Sequence, residues 1–155
     1  MVGRPLRLPE PGKLVRTFLE VLESAGIATG TFNVPDWEES AEGFERVLES
    51  LFQGPTPPTA LILDRPILYH AAHHYLARQG LRVPDHVSLV CSDGHPDMEW
   101  CIPSIAHIKW DTNLVIRRLL RWANLVALGR DNHRKSLTKT EFVEGGSIGP
   151  ALKPR

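Results

Sequence analysis

The sequence predicts an α/β fold, a mostly parallel sheet with helices on both faces, and three observations carry that expectation. Three apolar runs each end on an aspartate: Thr59-Ala-Leu-Ile-Leu-Asp64, Val87-Ser-Leu-Val-Cys-Ser-Asp93 and Ile105-Ala-His-Ile-Lys-Trp-Asp111. A helix-length stretch separates the first two. A fourth strand-like segment, Thr31-Phe-Asn-Val-Pro-Asp36, ends the same way and is followed by Trp37. Strands alternating with helical crossovers pair in parallel. Their carboxyl ends then share one rim, where ligands bind in open α/β sheets.

Each element has a local reason. Residues 1 to 12 carry prolines and glycines without periodicity and read as a loose lead-in. Leu14, Phe18, Val21 and Leu22 recur at helical spacing up to Gly26. Residues 31–34 read as a short strand. Asp36 is placed to cap the next helix, with Glu39 three residues on as its capping-box partner. That helix carries Trp37, Ala41, Phe44, Leu48 and Leu51 on one face, and Gly54-Pro-Thr-Pro-Pro58 breaks it. The strand at 59–63 leads to a helix over 67–79 closed by Gly80. Pro84 and Asp85 turn the chain into the strand at 87–91. A polar, irregular stretch to Pro103 precedes the strand at 105–110. Asn113 is a plausible cap for a helix holding Val115, Leu119, Trp122 and Val126, which stops at Gly129. Asp131 to Lys135 reads as a charged loop, 137–143 as a last strand, and the rest as a Gly/Pro-rich tail.

The 155 residues suit one domain with a real core. Eighteen basic and eighteen acidic side chains cancel, so no net positive field draws the chain to nucleic acid or an anionic membrane. No apolar run approaches membrane-spanning length, and the start has no signal-peptide core. Cys91 and Cys101 are expected as reduced thiols in a cytoplasmic protein.

Four stretches taken together resemble a known family. They are Pro58-Thr-Ala-Leu-Ile-Leu-Asp64, the helix ending Gln79-Gly-Leu-Arg-Val-Pro-Asp85 with Val87-Ser-Leu-Val-Cys-Ser-Asp93, Ile102-Pro-Ser-Ile-Ala-His-Ile108, and Phe142-Val-Glu-Gly-Gly-Ser-Ile-Gly-Pro150. In this order they resemble the effector-binding domain of lac-repressor-type transcriptional regulators, from about Lys13 onward. The resemblance implies a Rossmann-like lobe of a type I periplasmic-binding-protein-like fold, in which two lobes close on a small ligand. This chain matches roughly the C-terminal half. Residues from about 27 to 104 and 137–149 resemble the C-terminal lobe. Residues from about 105 to 130 resemble a crossover strand and helix returning to the N-terminal lobe. No DNA-binding head is matched.

The same resemblance implies a ligand-binding set of Asp93, Trp37, Asp64, Arg65, Trp110 and Asp36. Asp93 matches an aspartate that accepts hydrogen bonds from ligand hydroxyls, work suited to an acceptor-only carboxylate; a turn aspartate is the plainer alternative. Trp37 matches an aromatic that stacks on a ligand ring, though it lies on its helix's apolar stripe and equally reads as core. Asp36 presents it. Asp64 and Arg65 sit where the family often has an Asn-Asp pair, with a local salt bridge or cap as the alternative. Trp110 falls near a crossover contact and equally reads as hinge packing. An arginine that usually opens the first helix is replaced at Leu14, with Lys13 and Arg16 beside it.

Other chemistry finds little support. His70, His73 and His74 share a helix face, yet no His-Glu-x-x-His pattern accompanies them, so no metal is expected. Gly145-Gly-Ser-Ile-Gly149 is followed by no helix and is no phosphate loop. No cofactor motif, nucleophile elbow or Walker sequence is present. Arg117, Arg118 and Arg121 read as a solvated face. The expected function is a non-enzymatic sensor of a small molecule, carbohydrate first, working as a homodimer and reaching DNA only through a head outside this chain. The alternatives are a small α/β hydrolase-type enzyme using Asp64 and Asp93 as acid and base, and a ligand-free dimerisation remnant.

Overall fold

A computed structural model describes residues 1–3, 12–130 and 137–150. Most of the expected lead-in and the charged loop over 131–135 lie outside these described residues. The helices are α1 (Lys13–Ser24), α2 (Ala41–Phe52), α3 (Pro66–Arg78) and α4 (Thr112–Ala127). The strands are β1 (Ala60–Leu63), β2 (Ser88–Cys91), β3 (Ala106–Trp110) and β4 (Thr140–Val143).

The sheet has the order β1-β2-β3-β4. β1, β2 and β3 run parallel, and β4 closes the edge antiparallel to β3. Leu63 pairs with Cys91 at the carboxyl end of the β1–β2 ladder. The α/β architecture read from the sequence is the one observed. Its β1-α3-β2 unit is the helical crossover that parallel pairing demands. The β2-to-β3 connection instead uses an irregular stretch with one 3-10 segment, Pro96–Trp100.

Burial follows the strand period of two. Leu61 and Leu63 of β1 and Leu89 and Cys91 of β2 are buried, with their neighbours less so. α3 packs on β1 and β2 through Leu68, Tyr69, Ala72, Tyr75 and Leu76. α2 packs on α3, adding Phe44, Val47 and Leu48. Gly80 ends α3 at φ 71°, a left-handed cap that disfavours any other residue.

One side chain stitches the sheet from within. The Ser147 hydroxyl accepts from the Ala106 amide at 2.8 Å and donates to the Leu89 carbonyl at 2.7 Å, while the Leu89 amide donates to the Ser147 carbonyl. The segment from Gly145 thus joins β2 to β3. A side chain at Gly145 has no room, because its Cβ would stand 2.3 Å from the Ala106 nitrogen. The Gly-Gly-Ser-Ile-Gly run is therefore a structural tie.

Four boundaries differ from expectation. Residues Thr31–Asn33 form a 3-10 turn rather than a strand. Flanking Gly30 and Pro35 disfavour a ladder, and the Asn33 side chain accepts from the Gly30 amide at 2.7 Å. Asp36 does not cap α2. Ser40 does, accepting from the Gly43 amide at 2.9 Å, while Asp36 turns back onto the Trp37 amide at 3.0 Å. Asp111, not Asn113, caps α4, accepting from the Leu114 amide at 3.1 Å. β4 begins at Thr140 rather than 137. α1 and α4 have no buried residue, and Ile116, Leu119, Leu120 and Trp122 of α4 are exposed.

Two outcomes follow from the stitch and the core. Ser147→Ala leaves the Ala106 amide and Leu89 carbonyl unsatisfied inside the sheet, which costs about 1–3 kcal/mol. It should lower the urea midpoint at unchanged slope, and Gly145→Ala should lower it further. The second outcome concerns the two thiols. Cys91 is buried and Cys101 half-buried. Burial pushes the Cys91 thiol up to about 11, so a thiol-specific reagent at pH 8 should label Cys101 in the folded chain and Cys91 only after unfolding. Mass spectrometry of the labelled peptides reads the difference.

Candidate ligand-binding site

The parallel register decides where the strand-end carboxylates stand. Leu63 opposes Cys91, so Asp64 follows β1 immediately and Asp93 follows β2 by one more residue on the same rim. The Ser92 amide donates to the Leu63 carbonyl at 2.8 Å and holds the two ends together. The Cys91 thiol lies beneath and donates to the Asp93 carbonyl at 3.2 Å. Burial, and after it the charges of Asp93 and Asp64, push that thiol up. Asp93 is exposed at the mouth, and the Asp64 side chain is largely covered.

Arg65 occupies the N-cap position of α3, with no side-chain cap bond, and faces two acids. Its Nη1 lies 3.2 Å from the Glu39 carboxylate, and its Nε lies 3.7 Å from Asp64 Oδ1. The guanidinium is about a fifth exposed, so these pairs are neither free surface contacts nor sealed ones. Hydroxyl groups presented here would meet both a donor fork and acceptor oxygens.

Trp37 reaches the rim from the turn before α2. Its indole N–H donates to the Gly3 carbonyl at 2.6 Å, and its ring packs against Phe44 at a centroid distance of 5.2 Å. The ring is nearly buried. It is a core residue whose edge lines a groove between α2 and α3, together with Arg65 and Glu39.

The six expected ligand residues therefore do not form one cluster. Trp37 and Asp64 meet at Gly3, Arg65 lies against Asp64, and Asp93 follows the neighbouring strand on the same rim. Asp36 opens instead onto a crevice of about 820 Å³ beneath Phe18 and Leu22 of α1. Trp110 ends β3 three residues past His107, the last residue paired with β2, and is 38 % exposed.

Two participants escaped sequence reasoning. Residues 1–3 add a parallel bridge to β1 through Val2 and Leu63, and the Val2 amide donates to the Ile62 carbonyl at 2.8 Å. Gly3 then lies so close to Asp64 that an added Cβ would come within 2.9 Å of Oδ2. Three residues are too few for a period to show. Glu39, taken for a capping partner, belongs to Arg65 instead.

Among the described residues, no three His, Cys, Asp or Glu side chains are placed to hold a metal ion. His70, His73 and His74 are exposed on α3, with the rings of His70 and His73 against Tyr69. The rim offers paired carboxylates and a guanidinium, a set suited to binding hydroxyls.

Residues 2–148 match the family described as the periplasmic binding protein-like domain. The chain belongs to that family. Its likeness to lac-repressor-type effector domains holds in both sequence and structure. A curated relative, the HTH-type transcriptional repressor CytR of Escherichia coli (strain K12), is 22% identical over 107 residues, which are 69% of this chain and 31% of the relative. A putative transcriptional regulator LacI from Bacillus cereus subsp. cytotoxis superposes with a TM-score of 0.80 at 17% identity, covering 97% of this chain and 54% of that one. A sugar-binding LacI-family regulator of Escherichia coli, solved with phosphate, superposes with a TM-score of 0.73 at 17% identity over 96% of this chain and 54% of that one. The chain thus spans about a third of the curated relative and about half of the solved regulators.

If Trp37 serves packing first, Trp37→Phe should keep the ring contact with Phe44 and lose only the bond to Gly3. The expected cost is about 1 kcal/mol, read as a small drop in melting temperature. Trp37→Ala should cost about 3–5 kcal/mol, as loss of a large core aromatic does.

Proposed function

We propose that this chain is the ligand-sensing half of a bacterial transcriptional regulator's effector domain, and that its effector is a carbohydrate. Family membership supports an effector-binding role. The single observation that carries the ligand class is the rim at the β1 and β2 ends. There Asp64 and Asp93 follow the ends of neighbouring parallel strands and Arg65 follows Asp64, giving acceptor carboxylates and a guanidinium donor on one rim. A solved LacI-family regulator of Escherichia coli with the same fold is sugar-binding.

In this reading Asp93 accepts from ligand hydroxyls, Asp64 and Arg65 hold a second edge of the ring, and Trp37 walls the site from below. Residues from about 27 to 104 and 137–149 form one wall of a two-lobed cleft. Residues 105–130 lead to the other lobe, which accounts for the uncovered apolar face of α4. Ligand closure between the lobes shifts the population of two domain arrangements. In a homodimer that shift resets the spacing of DNA-reading heads. The work is cytoplasmic and non-enzymatic. Among the described residues no helix is long and apolar enough to cross a membrane.

Melting temperature against a panel of pentoses, hexoses and their phosphates tests the reading, since a ligand that binds only the folded chain raises it with occupancy. At least one sugar should raise the melting temperature of the wild type. The rise should vanish in Asp93→Asn, whose fold is intact because Asp93 is exposed. No rise with any sugar, or an equal rise in Asp93→Asn, counts against it.

A further inference from the structure

We infer that the crevice under α1 is a strand-acceptor slot, which takes an extended stretch of polypeptide running parallel to β1 and leading directly into Met1. The slot stands apart from the sugar rim, and the two readings fail separately.

Residues 1 and 2 already bond as a central strand does. The Val2 amide donates to the Ile62 carbonyl of β1 at 2.8 Å, and Val2 bridges Leu63 in parallel. The Met1 nitrogen donates instead to the Asn33 carbonyl at 2.6 Å. Consecutive backbone nitrogens bonded to two different segments are the pattern of a strand with a neighbour on each side. Both residues are buried. Met1 also lines the crevice of about 820 Å³, and so do both of these neighbours. Ala60, Leu61 and Ile62 come from β1, and Thr31, Phe32 and Asn33 from the turn that Met1 bonds.

The register of β1 says what the slot can bond. The Ser88 and Ser92 amides donate to the Thr59 and Leu63 carbonyls, so the odd-numbered positions serve β2. Ala60 and Ile62 therefore turn their amides and carbonyls to the other edge, where Val2 uses the Ile62 carbonyl. In a parallel ladder the residue ahead of Met1 gives its amide to the Ala60 carbonyl and takes the Ile62 amide. An extended chain offers that donor and acceptor in line with the strand that residues 1 and 2 have begun. Its side chains project alternately to two sides. The crevice has apolar walls from two helices, Phe18 and Leu22 of α1 and Val47 and Leu51 of α2. A strand apolar at successive positions is the complement. This chain covers 54% of the Bacillus cereus regulator, so a protein of this fold holds further polypeptide beyond the matched part.

The probe is Thr-Val-Ile-Val placed directly ahead of Met1, with Thr-Val-Ile-Pro in the same place as its control. Proline has no amide for the Ala60 carbonyl, and its ring stands where that bond would run. Hydrogen exchange followed by NMR reads the Ile62 amide, and thermal melting reads stability. Thr-Val-Ile-Val should slow Ile62 exchange at least tenfold relative to the unextended chain and raise the melting temperature. The proline control should slow it less than twofold. Equal protection from both extensions, or none from either, overturns the slot. A melting rise without Ile62 protection also overturns it, because the extension then only covers apolar wall. Ile62 protection in the unextended chain that grows with protein concentration makes a second copy the occupant and overturns it too. The sugar panel on the unextended chain is untouched by any of these outcomes.

Discussion

The register of β1 against β2 is the constraint on which the rest depends. Because Leu63 opposes Cys91, the two chain directions deliver Asp64 and Asp93 to one edge. A slip of one residue would turn Leu61, Leu63, Leu89 and Cys91 out of the core and move the acids apart. The core and the site are therefore enforced together. Burial of the alternate strand residues under α3 fixes the register, and the register places the carboxylates.

The sheet's other half is held differently. β2 and β3 share only two paired positions, Val90 with Ala106 and Cys91 with His107. The Ser147 hydroxyl supplies the missing links by taking the Ala106 amide and giving to the Leu89 carbonyl. This arrangement lets the chain from Ser92 to Ile105 leave the sheet without a crossover helix. It also explains the glycines before Ser147, since the backbone there passes within contact distance of residues 104–106. Past this tie, β4 and α4 hold no buried residue, and Ile116, Leu119, Leu120 and Trp122 stay exposed. The described residues therefore form a well-packed body around β1, β2, α2 and α3 and an extension whose apolar face they do not cover.

Much of this was legible in the sequence where local chemistry and long-range order agree. Apolar runs ending on aspartate gave β1, β2 and β3, and the Gly80 cap gave the end of α3. The short segment at 31–34 was misread because its strand-like residues have no partner to pair with, a fact that only tertiary structure supplies. Asp36 was assigned the cap that Ser40 holds; both side chains can cap, and the choice depends on where the chain turns after Trp37. Within the site, Asp64 and Arg65 are expected as ligand residues with a local salt bridge as the alternative, and the salt bridge is present, Nε lying 3.7 Å from Oδ1. The indole of Trp37 reads equally as ligand wall and as core from the sequence; its ring packs on Phe44 and its N–H is bonded to Gly3. The Ser147 tie and the Gly3 contact were invisible, because both join residues far apart in sequence and neither leaves a periodic mark.

The claim that the β1 and β2 ends form the effector site is tested most directly by mapping amide chemical shifts by NMR during titration with a sugar that stabilises the chain. The account predicts that the largest changes fall on Gly3, Asp64, Arg65 and the 92–94 turn, with α4 unmoved. Changes concentrated on α4 or around the crevice under α1, with the 92–94 turn silent, would contradict it.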